Sequence, residues 1–201
     1  ARGGARRGQG PVNVHPLLAA GLVAASARAV ADGRADAPDR RLRERLTALR
    51  TPGRDAVVRV GTDVGSLYGV AIVAGAFAVA GRPRGAVRVA AAGATAWTVA
   101  QAAKPLLPRE RPYEADGAER LVVEPAGTSW PSGHAAVAAA LAVTLGTGRT
   151  SMVRRALDAT ALAVGVSRVY AGVHHPSDVV AGLGLGTLSA RLLRRVRRRD
   201  G

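Results

Sequence analysis

Two histidines stand side by side in the stretch SRVYAGVHHPSD, residues 167–178, out of four in the whole chain. Arg168 precedes this pair and Asp178 follows it. A neutral imidazole can attack phosphorus, and a carboxylate can hold one ring nitrogen while the other stays free for attack. A nearby guanidinium would bind phosphate oxygens through its planar fork. The stretch therefore predicts phosphoryl transfer, with His174 or His175 as the nucleophile and Asp178 as the residue that orients it.

Two further clusters offer the other parts of a phosphate site. Lys104, the only lysine of the chain, begins the stretch KPLLPRERP, which also contains Arg111. The tetrapeptide PSGH places Ser132, Gly133 and His134 at the start of an apolar run, where free backbone N–H groups favour an anion. A histidine there could protonate a leaving alcohol, and two histidines in opposite protonation states predict a bell-shaped pH profile. The clusters together predict a phosphate cradle that requires neither a metal nor another cofactor.

Each cluster also has an ordinary interpretation. The basic residues of KPLLPRERP could form a solvated surface, and Ser132 could simply cap a helix. The histidine pair could be a loop feature or part of a zinc site. Zinc needs three or four ligands, however, and Asp178 is the only carboxylate close to the pair in sequence. The three clusters fit one site in one order, which favours the phosphate pocket.

The order and spacing K-x6-RP, PSGH and SR-x5-H-x3-D resemble the type-2 phosphatidic acid phosphatase superfamily. This family also includes vanadium-dependent haloperoxidases and bacterial class A acid phosphatases. The resemblance covers residues 104–178 and says little about residues 1–60. The chain matches every defined position of the pattern: Lys104, Arg111, Pro112, Pro131, Ser132, Gly133, His134, Ser167, Arg168, His174 and Asp178.

The resemblance implies a role for each of these side chains and implies no metal. His174 aligns with the nucleophile of the family, which forms a phosphohistidine intermediate, and His134 aligns with the general acid. Asp178 aligns with the residue that orients the nucleophile. His175 falls in the variable stretch, and His15 matches nothing and is interpreted as structural. The phosphate-binding positions are Lys104, Arg111, Ser132, Gly133 and Arg168.

The composition favours helices that pack closely. Hydrophobic residues make up 48% of the chain but aromatic residues only 3%, which suits small-residue helix contacts and not a β-sandwich. The absence of cysteine excludes disulfides, thiolate catalysis and cysteine-ligated zinc. We predict an all-α, six-helix bundle with a single helical domain over 10–193, flanked by basic tails at 1–9 and 194–201. Its apolar segments are 10–27, 64–81, 89–103, 134–148, 159–167 and 179–190.

The pattern of charge indicates a membrane topology. A spanning helix needs about 20 apolar residues. The last three segments are shorter and the mean hydropathy is only +0.09, so a soluble helical protein stays an alternative. The basic loops 81–88 and 148–155 fall on the same side as both tails, as the positive-inside rule expects. The loops after the third and fifth helices would then form an active site on the extracytoplasmic side. The arginine-rich segment 33–56 is predicted as an amphipathic helix along the surface.

The predicted function is a multi-pass lipid phosphatase of the cell membrane. Its substrate would be a polyprenyl phosphate, a polyprenyl diphosphate or phosphatidate, and membrane lipids would surround it. One alternative is a haloperoxidase that holds vanadate where phosphate would bind. Another is a basic membrane-surface or nucleic-acid-binding protein with an inactive site, since the net charge is +15. Scarce aromatic residues and the lack of a DNA-binding motif count against nucleic acid. The pattern favours no particular oligomeric state.

Overall fold

The computed structural model describes residues 16–199, and this part of the chain is helical throughout its regular structure. His15, the tail 1–9 and the first residues of the first apolar segment lie outside the described residues. Two short 3-10 turns, Thr62–Gly65 and Lys104–Leu106, link longer elements. The α-helices are α1 Pro16–Ala31, α2 Asp36–Thr47, α3 Pro52–Gly61, α4 Leu67–Val79, α5 Pro83–Ala103, α6 Pro112–Ala115, α7 Gly133–Gly146, α8 Ser151–Tyr170 and α9 Pro176–Arg199.

Within the described residues, each of the six predicted apolar segments falls mainly in one helix, namely α1, α4, α5, α7, α8 and α9. The all-α prediction is therefore confirmed. Several helices are longer than their apolar runs because the helix extends into flanking turns that contain arginines. One example is α8, which begins at Ser151, before Arg154 and Arg155. Another is α9, which continues to Arg199, so the domain boundary expected at 193–194 falls inside a helix.

The segment 33–56 does not form the single surface helix that the sequence predicted. It contains α2 and the start of α3, and the break between them is set by Thr51 and Pro52. The Thr51 hydroxyl accepts the backbone N–H of Arg54 at 3.3 Å, and proline occupies the first turn, where no N–H is needed. Nor does α2 lie wholly on the surface, because it contacts α8 and α9 and buries Asp39.

The central helix of the bundle is α7. Ten of its fourteen residues are buried, and it packs against α5, α8 and α9. Its contact with α9 depends on glycine at two positions: a Cβ at Gly182 would overlap the carbonyl of Ser132, and one at Gly186 would overlap the carbonyl of Ala136. The small residues noted in the sequence thus allow α9 to lie directly against the backbone of α7.

Gly186→Ala is expected to destabilise the protein because the new methyl group must push α9 away from α7. Overpacking of this kind typically costs about 1–3 kcal/mol, and the unfolding temperature in detergent should fall accordingly. Gly75→Ala on α4 is the matched control, since no atom lies within 4 Å of its added Cβ. The control should be neutral or more stable by up to about 1 kcal/mol. Equal unfolding temperatures for the two variants would contradict this account of the helix contact.

The outer surface of α4 is apolar. Its sequence LYGVAIVAGAFAV has no charged residue, yet only Gly69 and Val70 are buried, and Ile72 is 72% exposed. Within residues 16–199, no single helix has both the length and the apolar character of a membrane span. The pair Pro52–Gly65 and Leu67–Val79 meets these criteria jointly, with a bend of 66° between its two parts.

Candidate active site

The start of α7 forms one wall of the candidate site. Ser132 is its N-cap, and its hydroxyl accepts the backbone N–H of Ala135 at 3.4 Å. Gly133 follows, and a Cβ there would lie 3.1 Å from the ring of Trp97, so glycine lets the helix terminus pack against this ring. His134 meets the same ring edge-on, with 6.3 Å between the ring centroids. The chain thus presents a helix N-terminus and an imidazole together.

His174 lies in the loop between α8 and α9 and is only 2% exposed. Its Nδ1 is 3.6 Å from Oδ2 of Asp178, beyond direct hydrogen-bonding distance, and Nδ1 has no hydrogen-bond partner among the described residues. Its Nε2 lies 3.5 Å from a terminal nitrogen of Arg111. Burial lowers the pKa of His174 to about 3, although the Asp178 carboxylate opposes this shift. The imidazole is therefore neutral near pH 7, as a nucleophile must be.

Asp178 is fully buried and its two oxygens are occupied. Oδ2 accepts hydrogen bonds from the Ser129 hydroxyl at 2.6 Å and from the backbone N–H of His175 at 2.8 Å. Oδ1 accepts one from Arg109 at 2.9 Å. Neither Arg109 nor Ser129 was predicted as a site residue from the sequence. Ser129 stands near PSGH and could have been noticed as a polar neighbour, whereas Arg109 falls among the unspecified positions of K-x6-RP.

Arg111 is 1% exposed, and its guanidinium donates to four backbone carbonyls besides lying 3.5 Å from His174 Nε2. The acceptors and their distances are Gly127 at 3.0 Å, Val173 at 2.8 Å, Ala126 at 3.2 Å and Thr128 at 3.2 Å. These bonds hold the loop 104–132 against the loop that carries His174. They also fix the plane of the Arg111 guanidinium. Within the described residues, no carboxylate forms an ion pair with this guanidinium.

Two more buried cations face the same region. Lys104 is 9% exposed and donates to the carbonyl of Thr128. Arg168 is 3% exposed and donates to the Thr62 hydroxyl at 2.9 Å, while its Nε has no hydrogen-bond partner in the described part of the chain. Burial and, secondarily, the charge of Arg111 lower the pKa of Lys104 to about 8. Lys104 therefore remains mostly protonated at pH 7.

An open pocket of about 680 Å³ brings six of the eight predicted site residues together. Ser132 and Asp178 are fully buried next to these lining residues. Further lining residues are Arg59, Asp63, Tyr68 and Gln101, together with the strip 121–126. The six predicted residues that line the pocket are Lys104, Arg111, Gly133, His134, Arg168 and His174.

His175 has a different environment from its neighbour. Its Nε2 lies 3.2 Å from the carbonyl oxygen of Glu110, which can only accept, so this ring nitrogen carries a proton. The residue does not line the pocket. Its backbone N–H, rather than its ring, contacts Asp178. Between residues 16 and 199, no three histidine, aspartate or glutamate side chains converge as metal ligands.

The sequence model of the PAP2 superfamily matches residues 85–201, which is more than half of the chain. The chain belongs to the PAP2 superfamily. All eight predicted site residues of this PAP2 protein lie inside the matched range. The resemblance inferred from three short motifs is thereby confirmed.

Two solved structures share the PAP2 fold with this chain. One is a transmembrane PAP2-type phosphatidylglycerolphosphate phosphatase from Bacillus subtilis, at 25% identity and a TM-score of 0.75, covering 92% of this chain and 97% of that one. The other is LpxE from Aquifex aeolicus, at 23% identity and a TM-score of 0.70, covering 78% and 94%. No curated protein matches the chain. Family and fold together support a PAP2 phosphatase that acts on lipid phosphates.

Proposed function

We propose that this PAP2 protein is a multi-pass membrane enzyme that hydrolyses a lipid phosphate or diphosphate through a phosphohistidine on His174. The substrate would be a polyprenyl phosphate, a polyprenyl diphosphate or phosphatidate, and the pocket would open on the extracytoplasmic side. The observation that carries the proposal is a group of three buried cations, Lys104, Arg111 and Arg168, which lines one pocket with two histidines.

Three buried positive charges require an anion. None of the three cationic groups lies within 4.0 Å of a carboxylate in the described part of the chain, and their neighbours are carbonyls, a hydroxyl and the His174 ring nitrogen. A buried charge without a counterion is costly, so a phosphate dianion would bind favourably there. The free N–H groups at the start of α7 would bind the remaining phosphate oxygens. Catalysis then follows from positioning and charge stabilisation without help from a metal.

The proposed reaction has two steps. In the first step the neutral His174 Nε2 forms a bond to phosphorus while the bond from phosphorus to the leaving oxygen breaks. Burial and the cations around it lower the pKa of the His134 imidazole, so the negative charge of the bound phosphate must raise that pKa before His134 gives its proton to the leaving oxygen. The Asp178 carboxylate, 3.6 Å from Nδ1, stabilises the positive charge that develops on the His174 ring. In the second step water attacks the phosphohistidine, His134 takes the water's proton, and the P–N bond breaks to release phosphate and neutral His174.

The apolar surface of α4 supports a lipid substrate and a location in the membrane. A helix that is apolar on all sides is stable only inside a protein core or in lipid. Most of α4 is exposed, and Val79 at its end is 93% exposed. Tyr68, in the first turn of α4, also lines the pocket. A hydrocarbon tail could therefore lie along this helix while the phosphate stays between the two histidines.

Phosphate release in detergent tests the proposed function. The parent protein, with EDTA present, would be offered phosphatidate, a polyprenyl monophosphate, a polyprenyl diphosphate and the water-soluble p-nitrophenyl phosphate. We expect release from at least one lipid at a higher kcat/KM than from the soluble ester. No release from any lipid would overturn the proposal. Halide oxidation by peroxide after addition of vanadate would then point to a haloperoxidase.

The lowered pKa of Lys104 predicts an alkaline limit to substrate capture. Because its ammonium loses its proton as the pH rises through about 8, kcat/KM should fall above that pH in the parent. Lys104→Arg keeps a positive charge there and should move the fall to higher pH, even if its maximum is lower. A pH profile of kcat/KM for both proteins checks this. An unchanged alkaline limb in the variant would assign the titration to another group.

A further inference from the structure

Arg109 joins the carboxylate behind the nucleophile to the distant helix α2. Its side chain is 9% exposed. One terminal nitrogen donates to Asp178 Oδ1 at 2.9 Å and to the Ser177 hydroxyl at 2.8 Å. The other donates to Asp39 Oδ2 at 2.9 Å and to Asp36 Oδ1 at 3.2 Å. One guanidinium thus connects the loop after α5 with the start of α9 and with α2.

Asp39 completes this network from the side of α2. It is 4% exposed, and its Oδ1 accepts the backbone N–H of Ser177 at 3.0 Å. Its Oδ2 accepts the Ser177 hydroxyl at 2.5 Å, in addition to Arg109. Asp39 therefore holds both the Arg109 guanidinium, 70 positions later in the chain, and the first turn of α9, 138 positions later.

A purely structural role explains this network poorly. Burying one cation between two buried carboxylates is costly, and apolar side chains of similar volume usually pack at least as well. The network also ends on the one carboxylate that lies 3.6 Å from His174. Arg109 binds Oδ1 of Asp178, while Oδ2, which also accepts from Ser129 and the His175 N–H, is the oxygen that faces His174. The carboxylate therefore cannot rotate without breaking the Arg109 contact.

We propose that Arg109 and Asp39 are positioning residues for phosphoryl transfer: Asp39 orients Arg109, and Arg109 holds the Asp178 carboxylate with Oδ2 towards His174. This inference rests on the proposed function. It assigns part of the catalytic geometry to α2, which lies before the range matched by the PAP2 family. The two residues act through Asp178, since neither Arg109 nor Asp39 lines the pocket.

This role affects the transfer step and leaves phosphate binding unchanged. When His174 takes the phosphoryl group its ring becomes positive, and the Asp178 carboxylate must face it to stabilise that charge. The guanidinium on the far oxygen keeps the carboxylate in place as the charge develops. Inorganic phosphate, by contrast, would be held by Lys104, Arg111 and Arg168, none of which contacts Arg109 through a hydrogen bond or an ion pair. Loss of Arg109 should therefore lower kcat and spare the affinity for phosphate.

The experiment compares Arg109→Met, Asp39→Asn and Asp32→Asn with the parent, using the best lipid substrate. Measurements are kcat, the competitive inhibition constant for inorganic phosphate, and the unfolding temperature. We expect kcat to fall about 100-fold in Arg109→Met and about tenfold in Asp39→Asn, as for other residues that orient a reacting group. The inhibition constant should stay within about twofold in both. Asp32→Asn is the matched control, because Asp32 pairs with Arg28 and Arg34 and lies outside the Arg109 network. Arg109→Lys should recover part of the rate by restoring the charge.

The outcomes separate this inference from the proposed function. If the parent releases no phosphate, both fail together. If the parent is active and Arg109→Met turns over at the parental rate, the positioning role is wrong and the phosphatase assignment stands. Weaker phosphate binding in parallel with a lower unfolding temperature would also overturn the role, since it would show general loss of structure. If Arg109→Met does not fold, the isosteric Asp39→Asn decides: a lower kcat with unchanged phosphate inhibition supports the role, and a parental kcat overturns it.

Discussion

His174→Ala is expected to lower kcat by at least about 10⁴-fold, because it removes the atom that would attack phosphorus. The variant should still bind inorganic phosphate, since Lys104, Arg111 and Arg168 are unchanged and lie around the same pocket. Rapid mixing of the parent with substrate should show a burst of the leaving group as the phosphohistidine forms, provided that its hydrolysis is the slower step. The variant should show no burst.

His175→Ala is the matched control for this experiment. The ring of His175 contacts the Glu110 carbonyl and not the pocket, while its contribution to Asp178 comes from the backbone N–H, which alanine retains. Its kcat should therefore remain within about tenfold of the parent, as for a side chain outside the reacting groups. Equal losses in the two variants would contradict the assignment of His174 as the nucleophile.

His134→Ala should also slow the reaction strongly, and the loss of rate should depend on the leaving group. A general acid contributes about 10²–10⁴-fold when an alkoxide must be protonated as it leaves. The burst phase on a lipid phosphate should slow by that factor. p-Nitrophenolate is stable without a proton, so the burst phase on p-nitrophenyl phosphate should slow much less.

The burst phase is the appropriate readout because His134 would also act as the base in the second step. Steady-state turnover would therefore fall with both substrates and would not distinguish the roles of His134. A leaving-group dependence in the burst phase supports protonation by His134. The same slowing with both substrates would instead indicate that His134 binds phosphate rather than transferring a proton.

The helices of this fold were predictable where their apolar runs were long. Most of the run 64–81 became α4 and most of the run 134–148 became α7, since an apolar segment of that length must be buried or covered. The segment 33–56 was predicted less well, because its arginines suggested one solvated face. The sequence nevertheless contains the signal for a break, as a threonine followed by proline, Thr51 and Pro52, is a typical helix start.

The candidate site, like the fold, was predictable from the sequence only in part. Its pocket residues could be found from types and spacing, because their chemistry demands a particular set of side chains. The contacts that support these pocket residues could not be found from the sequence. Arg109 is one of two arginines in the basic stretch KPLLPRERP, and Asp39 is one of several acidic residues in a charged helix. Only folding shows that these two, 70 positions apart, form a buried ion pair.

The region before residue 85 lies outside the family match and yet holds the site from several directions. Besides the contact of α2 with Arg109, the Ser26 hydroxyl of α1 donates to the carbonyl of Ser177 at 2.8 Å and accepts the indole N–H of Trp130 at 3.1 Å. Thr62, which also precedes residue 85, accepts a hydrogen bond from Arg168 through its hydroxyl. A chimera that joined residues 85–201 to the first helices of a distant relative would inherit every motif residue. It would not inherit these partners, so the geometry of its histidines would depend on whether the donor supplied equivalent ones.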